Sequence, residues 1–265
     1  MFTMTGLNIY VKHLCAETLN IQSQLSVITK QNTIDIILKI SNKGQATAYD
    51  ITSRIQFLGE LKASRTIHRL NAGFSETISM IFDLQKNMKG DYPLIAEIKF
   101  HDLNLYPFYS LSCSSIHIHS QKGKNRLTVH VPDIEFSEQY ITNVHVDNQD
   151  GLKKNLSVQM IVPGGFACKN NTVSRLLPKG QSVDIEYDIL KKDALPNTTH
   201  YGFVLITYKE NAISHAQVTP FKICVKPVTR VFLFEKQFVA SAWIFFGLIW
   251  ILSLTFVSFR NRHNQ

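Results

Sequence analysis

The chain has 265 residues, 45% hydrophobic and 18% charged, with 28 Lys and Arg against 20 Asp and Glu. That apolar share is enough to build a buried core and excludes a disordered chain. The excess of +8 is thinly spread: 11 basic and 9 acidic residues over 1–119, 13 and 10 over 120–229, and 4 and 1 over 230–265. No basic run carries interleaved aromatics, so no nucleic-acid partner is expected.

In chain order, the opening MFTMTGLNIYVKHLCAETLN holds no apolar core of signal-peptide length and no small-residue cleavage site. No secretory signal is therefore expected there. From residue 6 to 226 the pattern has period two. TIDIILKIS places Ile34, Ile36, Leu38 and Ile40 on one face, and YITNVHVDN does much the same with Val144 and Val146. Gly, Pro, Asn and Asp punctuate these runs every 8–12 residues or so, the signature of half-buried strands in a β-sandwich.

The pattern repeats. LNAGFSETISMIFDL (70–84) aligns with LPKGQSVDIEYDIL (177–190), so that Leu70, Gly73, Ser75 and Ile78 fall on Leu177, Gly180, Ser182 and Ile185. GDYPLIAEIKF (90–100) answers THYGFVLITYK (199–209), with Tyr92 over Tyr201, and ISNKG (40–44) answers VDNQDG (146–151), with Asn42 over Asn148. Order and spacing persist over the whole stretch, which predicts two tandem copies of one all-β domain. The expected boundaries are 6–120 and 126–226, joined by the polar SQKGKN and forming a semi-rigid rod.

FVASAWIFFGLIWILSLTFVSF (238–259) has no charge over 22 residues, enough to cross a hydrocarbon core of about 30 Å. It predicts a C-terminal transmembrane helix. Arg260 and Arg262 follow it and Lys226, Arg230 and Lys236 precede it, a near balance that leaves orientation open. The helix has no GxxxG motif and no internal charge, so it reads as an anchor rather than a pore.

The stretch Asn42, Gly44, Ala46, Ala48, Asp50, Ile51 fits N-x-G-x-A-x-A-x-D-[IV]. With the Leu70–Ser75 turn and the Gly90-x-Tyr92 strand start, it resembles CARDB-like and NEW3-like immunoglobulin-type domains. The second copy keeps Leu177, Gly180, Ser182 and Tyr201 but replaces the Ala-rich stretch with DNQDGLKKNL. The resemblance implies adhesion, spacer or protein-interaction modules of envelope proteins and brings no catalytic residues. As fold markers, Asn42 and Gly44 suit a positive-φ turn, and Tyr92 and Tyr201 suit a tyrosine corner.

No enzyme is expected. There is no G-x-S-x-G elbow, and GGF at 164–166 lacks the Lys-Ser/Thr of a phosphate loop. No cofactor is expected either. Metal binding would fall to His117 and His119, two apart on one strand face, with Cys113 four residues earlier and no Met to complete a copper loop; His130 and His145 are on nearby segments. The four cysteines fit either one disulfide per domain, Cys15–Cys113 and Cys168–Cys224, or free thiols if the domains face the cytosol. Sequons stand at Asn155, Asn170 and Asn197.

The expected protein is a non-enzymatic adhesion or scaffold module. Its two immunoglobulin-like β-sandwiches would stand outside the cytoplasm (periplasm or cell surface) for a protein or glycan partner or a membrane complex, with the short tail cytoplasmic. The alternatives are a tail-anchored tether with cytosolic domains and an extracytoplasmic metal-binding domain.

Overall fold

The computed structural model describes residues 19–119 and 127–228. Those residues are all β, as the period-two pattern predicts. Among them no helix is long and apolar enough to cross a membrane. The expected span 238–259, the linker 120–125 and Cys15 lie outside the described residues.

In the N-terminal half, β1 (Ile21–Thr29), β2 (Thr33–Asn42) and β6 (Ser75–Asp83) form a three-stranded antiparallel sheet. The facing layer is β3 (Ala48–Phe57), β4 (Glu60–Ala63), β5 (Ile67–Leu70), β7 (Gly90–His101) and β8 (Pro107–Ile118). Ile34, Ile36, Leu38 and Ile40 are fully buried, as their alternation requires, and share one cluster with Ile51, Ile55, Phe57, Leu94 and Ile98 of the facing layer. Phe57 meets Phe82 edge-on across the gap, ring centroids 5.8 Å apart.

The C-terminal half repeats the plan. β9 (Leu127–His130), β11 (Gln139–Asn148), β13 (Phe166–Lys169) and β15 (Ser182–Lys191) form a four-stranded sheet. It faces β10 (Ile134–Phe136), β12 (Lys154–Ile161), β14 (Thr172–Leu177), β16 (Thr199–Glu210) and β17 (Ile213–Val225). A second cluster fills the space, built on Val144, Val146, Val158, Ile189, Val204, Ile206 and Ile223.

The repeated asparagines explain the repeat physically. Asn42 is completely buried at the end of β2. Its Nδ2 donates to the carbonyls of Ala46 (2.8 Å) and Leu70 (3.0 Å), and its Oδ1 accepts from the N–H of Gly44 (3.0 Å). Its backbone bonds Phe74 and Gly73. Asn148 does the same in the second half: Nδ2 donates to Leu152 and Leu177, Oδ1 accepts from Asp150 N–H, and the backbone bonds Gln181 and Gly180. In each half one buried amide thus ties the loop after its own strand to the end of a later strand, two carbonyls and one N–H at once.

This alters one local expectation. Neither Asn42 nor Gly44 has positive φ. Nearby, the left-handed positions are instead Gly73 (φ 81) and Gly180 (φ 64), which turn the chain under each asparagine, and Asp50 (φ 46), at a register shift between Tyr49 and Thr52. Tyr92 donates its hydroxyl to the Lys89 carbonyl at 3.3 Å, tying β7 to the turn before it, whereas Tyr201 is exposed on β16.

Candidate functional site

The facing layers of the two halves join into one ten-stranded sheet. The join is a single parallel bridge, Ser214 of β17 beside Gly90 of β7. The Ser214 N–H donates to the Lys89 carbonyl at 3.0 Å. Gly90 has φ +112, and a Cβ there would lie 1.9 Å from the Ser214 carbonyl oxygen, so only glycine permits the approach. β16 is antiparallel to β17, so it runs opposite to β7, its counterpart in the repeat.

A second clamp closes the other end. The Tyr106 hydroxyl donates to the Asp193 carbonyl, and the Tyr109 ring lies where a Cβ on Gly164 would come within 2.5 Å. Burial, with Asp193 and Glu97 nearby, pushes the Tyr109 phenol above its ordinary pKa. Leu205 is buried in neither core. With Pro93, Ile95, Gln56 and Gln159 it lines a cavity of about 180 Å³ between the halves. The two sandwiches thus pack through outer sheet faces, a contact that the linker composition does not show.

A cleft of about 650 Å³ opens beside the Gly90–Ser214 bridge. Leu58, Met88, Tyr92 and Pro93 form its apolar wall from the N-terminal half. Asn155, Ser157, Ser174, Thr207 and Lys209 form a polar wall from the C-terminal half, with Asp91 and His215 beside the bridge. The cleft thus combines an apolar platform with scattered hydrogen-bonding groups. Next to it, Lys154 is buried to 3% side-chain exposure and held by Asp150 (2.9 Å) and Glu210 (2.7 Å). Its ammonium lies 4.4 Å from the Tyr208 ring centroid, and Tyr208 stacks on His215. Burial works against the charge, and the bonds to Glu210 and Asp150 more than offset it, so the Lys154 pKa is raised.

Of the histidines singled out in the sequence, His130 and His145 stand opposite each other on β9 and β11, with His145 bonded to Asp184 at 2.9 Å, whereas His117 and His119 part. His117 bonds Asp91 at 2.8 Å on an exposed cross-strand pair, and His119 has left β8 with φ 42. Among the described residues no group of three or more His, Cys, Asp or Glu is placed to hold a metal. Cys113, Cys168 and Cys224 are free thiols. The expected Cys168–Cys224 bridge is not formed: Cys168 lies opposite Ile189 on β13 and Cys224 opposite Thr199 on β17, both as free thiols. The expected partner of Cys113, Cys15, lies outside the described residues. Burial pushes Cys113 up to about 12, and burial with Asp188 nearby pushes Cys168 up to about 11, so both stay protonated at neutral pH. The junction itself went unread. Its one signal was Gly90, which opens the Gly-x-Tyr strand start.

No family model matches the chain, and no curated protein matches its sequence. Among solved structures, native α-2-macroglobulin of Escherichia coli aligns over 79% of this chain and 17% of its own, at 8% identity and TM-score 0.34. Red sea bream transglutaminase aligns over 77% and 31%, at 12% identity and TM-score 0.27. A protein of unknown function from Porphyromonas gingivalis W83 aligns over 78% and 99%, at 8% identity and TM-score 0.32. This chain thus spans 17% of the macroglobulin and 31% of the transglutaminase.

Proposed function

We propose that this chain is a membrane-anchored, non-enzymatic binding module. Two tandem immunoglobulin-like sandwiches, 6–120 and 126–226, stand on an anchor formed by 238–259 and present a composite surface to a protein or glycan partner outside the cytoplasm. One observation carries the reading: the cleft walls come from both halves, and glycine-dependent clamps at Gly90 and Gly164 hold those halves together. Such a surface exists only while the two sandwiches stay locked, which is the requirement of a scaffold. The apolar 22-residue stretch supports the anchor.

Cys168 and Cys224, free thiols among the described residues, favour a second reading, a tether whose sandwiches face the reducing cytosol. Protease added to intact cells, with outer barriers opened, separates the two. Digestion of 19–228 supports the extracytoplasmic reading, and full protection removes it. Deleting 238–259 releases the chain from the membrane pellet if that stretch is the anchor.

A further inference from the structure

The β7–β8 turn, Asp102-Leu103-Asn104-Leu105-Tyr106, carries the two most exposed large hydrophobic side chains among the described residues, Leu103 at 78% and Leu105 at 71%. Hairpin tips are ordinarily polar or small. The repeat supplies its own control: the equivalent β16–β17 tip is Asn211-Ala212.

The leucine tip is held rigid. Asp102 Oδ1 accepts from the N–H groups of Asn104 (2.9 Å) and Tyr106 (2.8 Å), and Leu105 N–H donates to the Asp102 carbonyl (3.1 Å). Leu105 sits at φ +62, a region that Asn or Gly occupies more readily than Leu. An apolar residue is thus kept where both local conformation and solvent disfavour it.

The tip also lies at the end of the sandwiches from which the chain leaves toward 238–259. β7 and β17 start at the Gly90–Ser214 bridge and run the same way, β7 to the leucine turn and β17 to Val225. Tyr106 bonds Asp193, and four residues on, Asn197 N–H donates to Val225 O at 2.7 Å. Val225 N–H donates to Thr198 O, and Lys226 N–H to Phe136 O. Nine residues, 229–237, then precede Phe238, a reach of at most about 30 Å at 3.3–3.6 Å each. Exposed Tyr140 and Ile141, at the start of β11, and Lys192 belong to this end as well, and Tyr and Lys are the residue types that settle at a bilayer interface. The Asn211-Ala212 tip is at the opposite end, beside the bridge.

We propose that the 102–106 turn is a lipid-contacting wedge: with the chain anchored through 238–259, Leu103 and Leu105 enter the interfacial layer of the same bilayer and hold the sandwiches against it. This rests on the anchored reading above. The test places a photo-crosslinking phenylalanine analogue at position 105 of the full chain, reconstituted in vesicles of phosphatidylcholine and phosphatidylglycerol in equal parts. Position 176, exposed on β14 near the opposite end, is the control. The expected result is vesicle flotation with at least tenfold more lipid adduct at 105 than at 176. With the probe at 103, Leu105→Asn, which suits the left-handed backbone, lowers the adduct at least threefold. Flotation with equal adduct at 105 and 176, or with adducts to protein alone, overturns the wedge and leaves the anchor standing. A chain that does not float overturns both.

Discussion

The two halves share a frame and differ in what fills one position of it. Six residues after each hub asparagine a new strand opens against the leucine of the next turn: Ala48 pairs with Leu70, and Lys154 with Leu177. Ala48 is fully buried among apolar neighbours, whereas Lys154 is buried with an ammonium held by Asp150, Glu210 and the face of Tyr208. Gly44 stands in the first half where Asp150 stands in the second. The same backbone therefore accepts a charge in its core, provided the carboxylates arrive with it.

The sharpest way to break that comparison is Ala48→Lys, which buries an ammonium without its carboxylates. It should cost about 4 kcal/mol and unfold the N-terminal half first, read by calorimetry of the full chain in detergent. Next come the hubs. Asn42→Ala and Asn148→Ala each strand two or more buried carbonyls and should cost about 3 kcal/mol apiece. Equal losses in chemical denaturation would mark them as the same device, and a loss confined to one half would refute the equivalence.

Gly90→Ala should cost about 2 kcal/mol through its Cβ clash and its φ. Its more telling effect would be on cooperativity, with one thermal transition splitting into two as the halves uncouple; a single unsplit transition would mean that the bridge does not couple them. The smallest effect is electrostatic. His200 takes in β16 the place that Asp91 has in β7, packed edge-on to Phe166 and bonded to Thr198. Burial lowers its pKa below the ordinary 6.5. The folded protein therefore binds fewer protons than the unfolded chain, and stability is present above about 6.5 and falls on acidification through that value. His200→Phe should flatten that part of the stability–pH curve, and an unchanged slope would assign it elsewhere.

Much of the fold could be read directly. Ile34 to Ile40 alternate because one sheet face is buried, and that face is fully buried. The spacing from Asn42 to Leu70 and Gly73 recurs at Asn148, Leu177 and Gly180 because each asparagine must bond across the same gap. At Asn42 it is side-chain bonding to Ala46, Leu70 and Gly44, rather than positive φ, that the fold uses. The candidate site was far less legible. His117 and His119 are neighbours in sequence that the end of β8 separates, and Cys168 and Cys224 are matched by count yet remain free thiols.

By itself the sequence determined the all-β class, the duplication and the apolar stretch at 238–259. These rest on short-range periodicity and composition, which survive in any tertiary arrangement. Only the tertiary structure decided that the halves pack through outer faces at Gly90–Ser214 and Tyr109–Gly164, that a cleft forms between them, and that Leu103 and Leu105 stand at the end where the chain departs. Those features depend on contacts between residues dozens of positions apart, for which a single sequence carries no periodic signal.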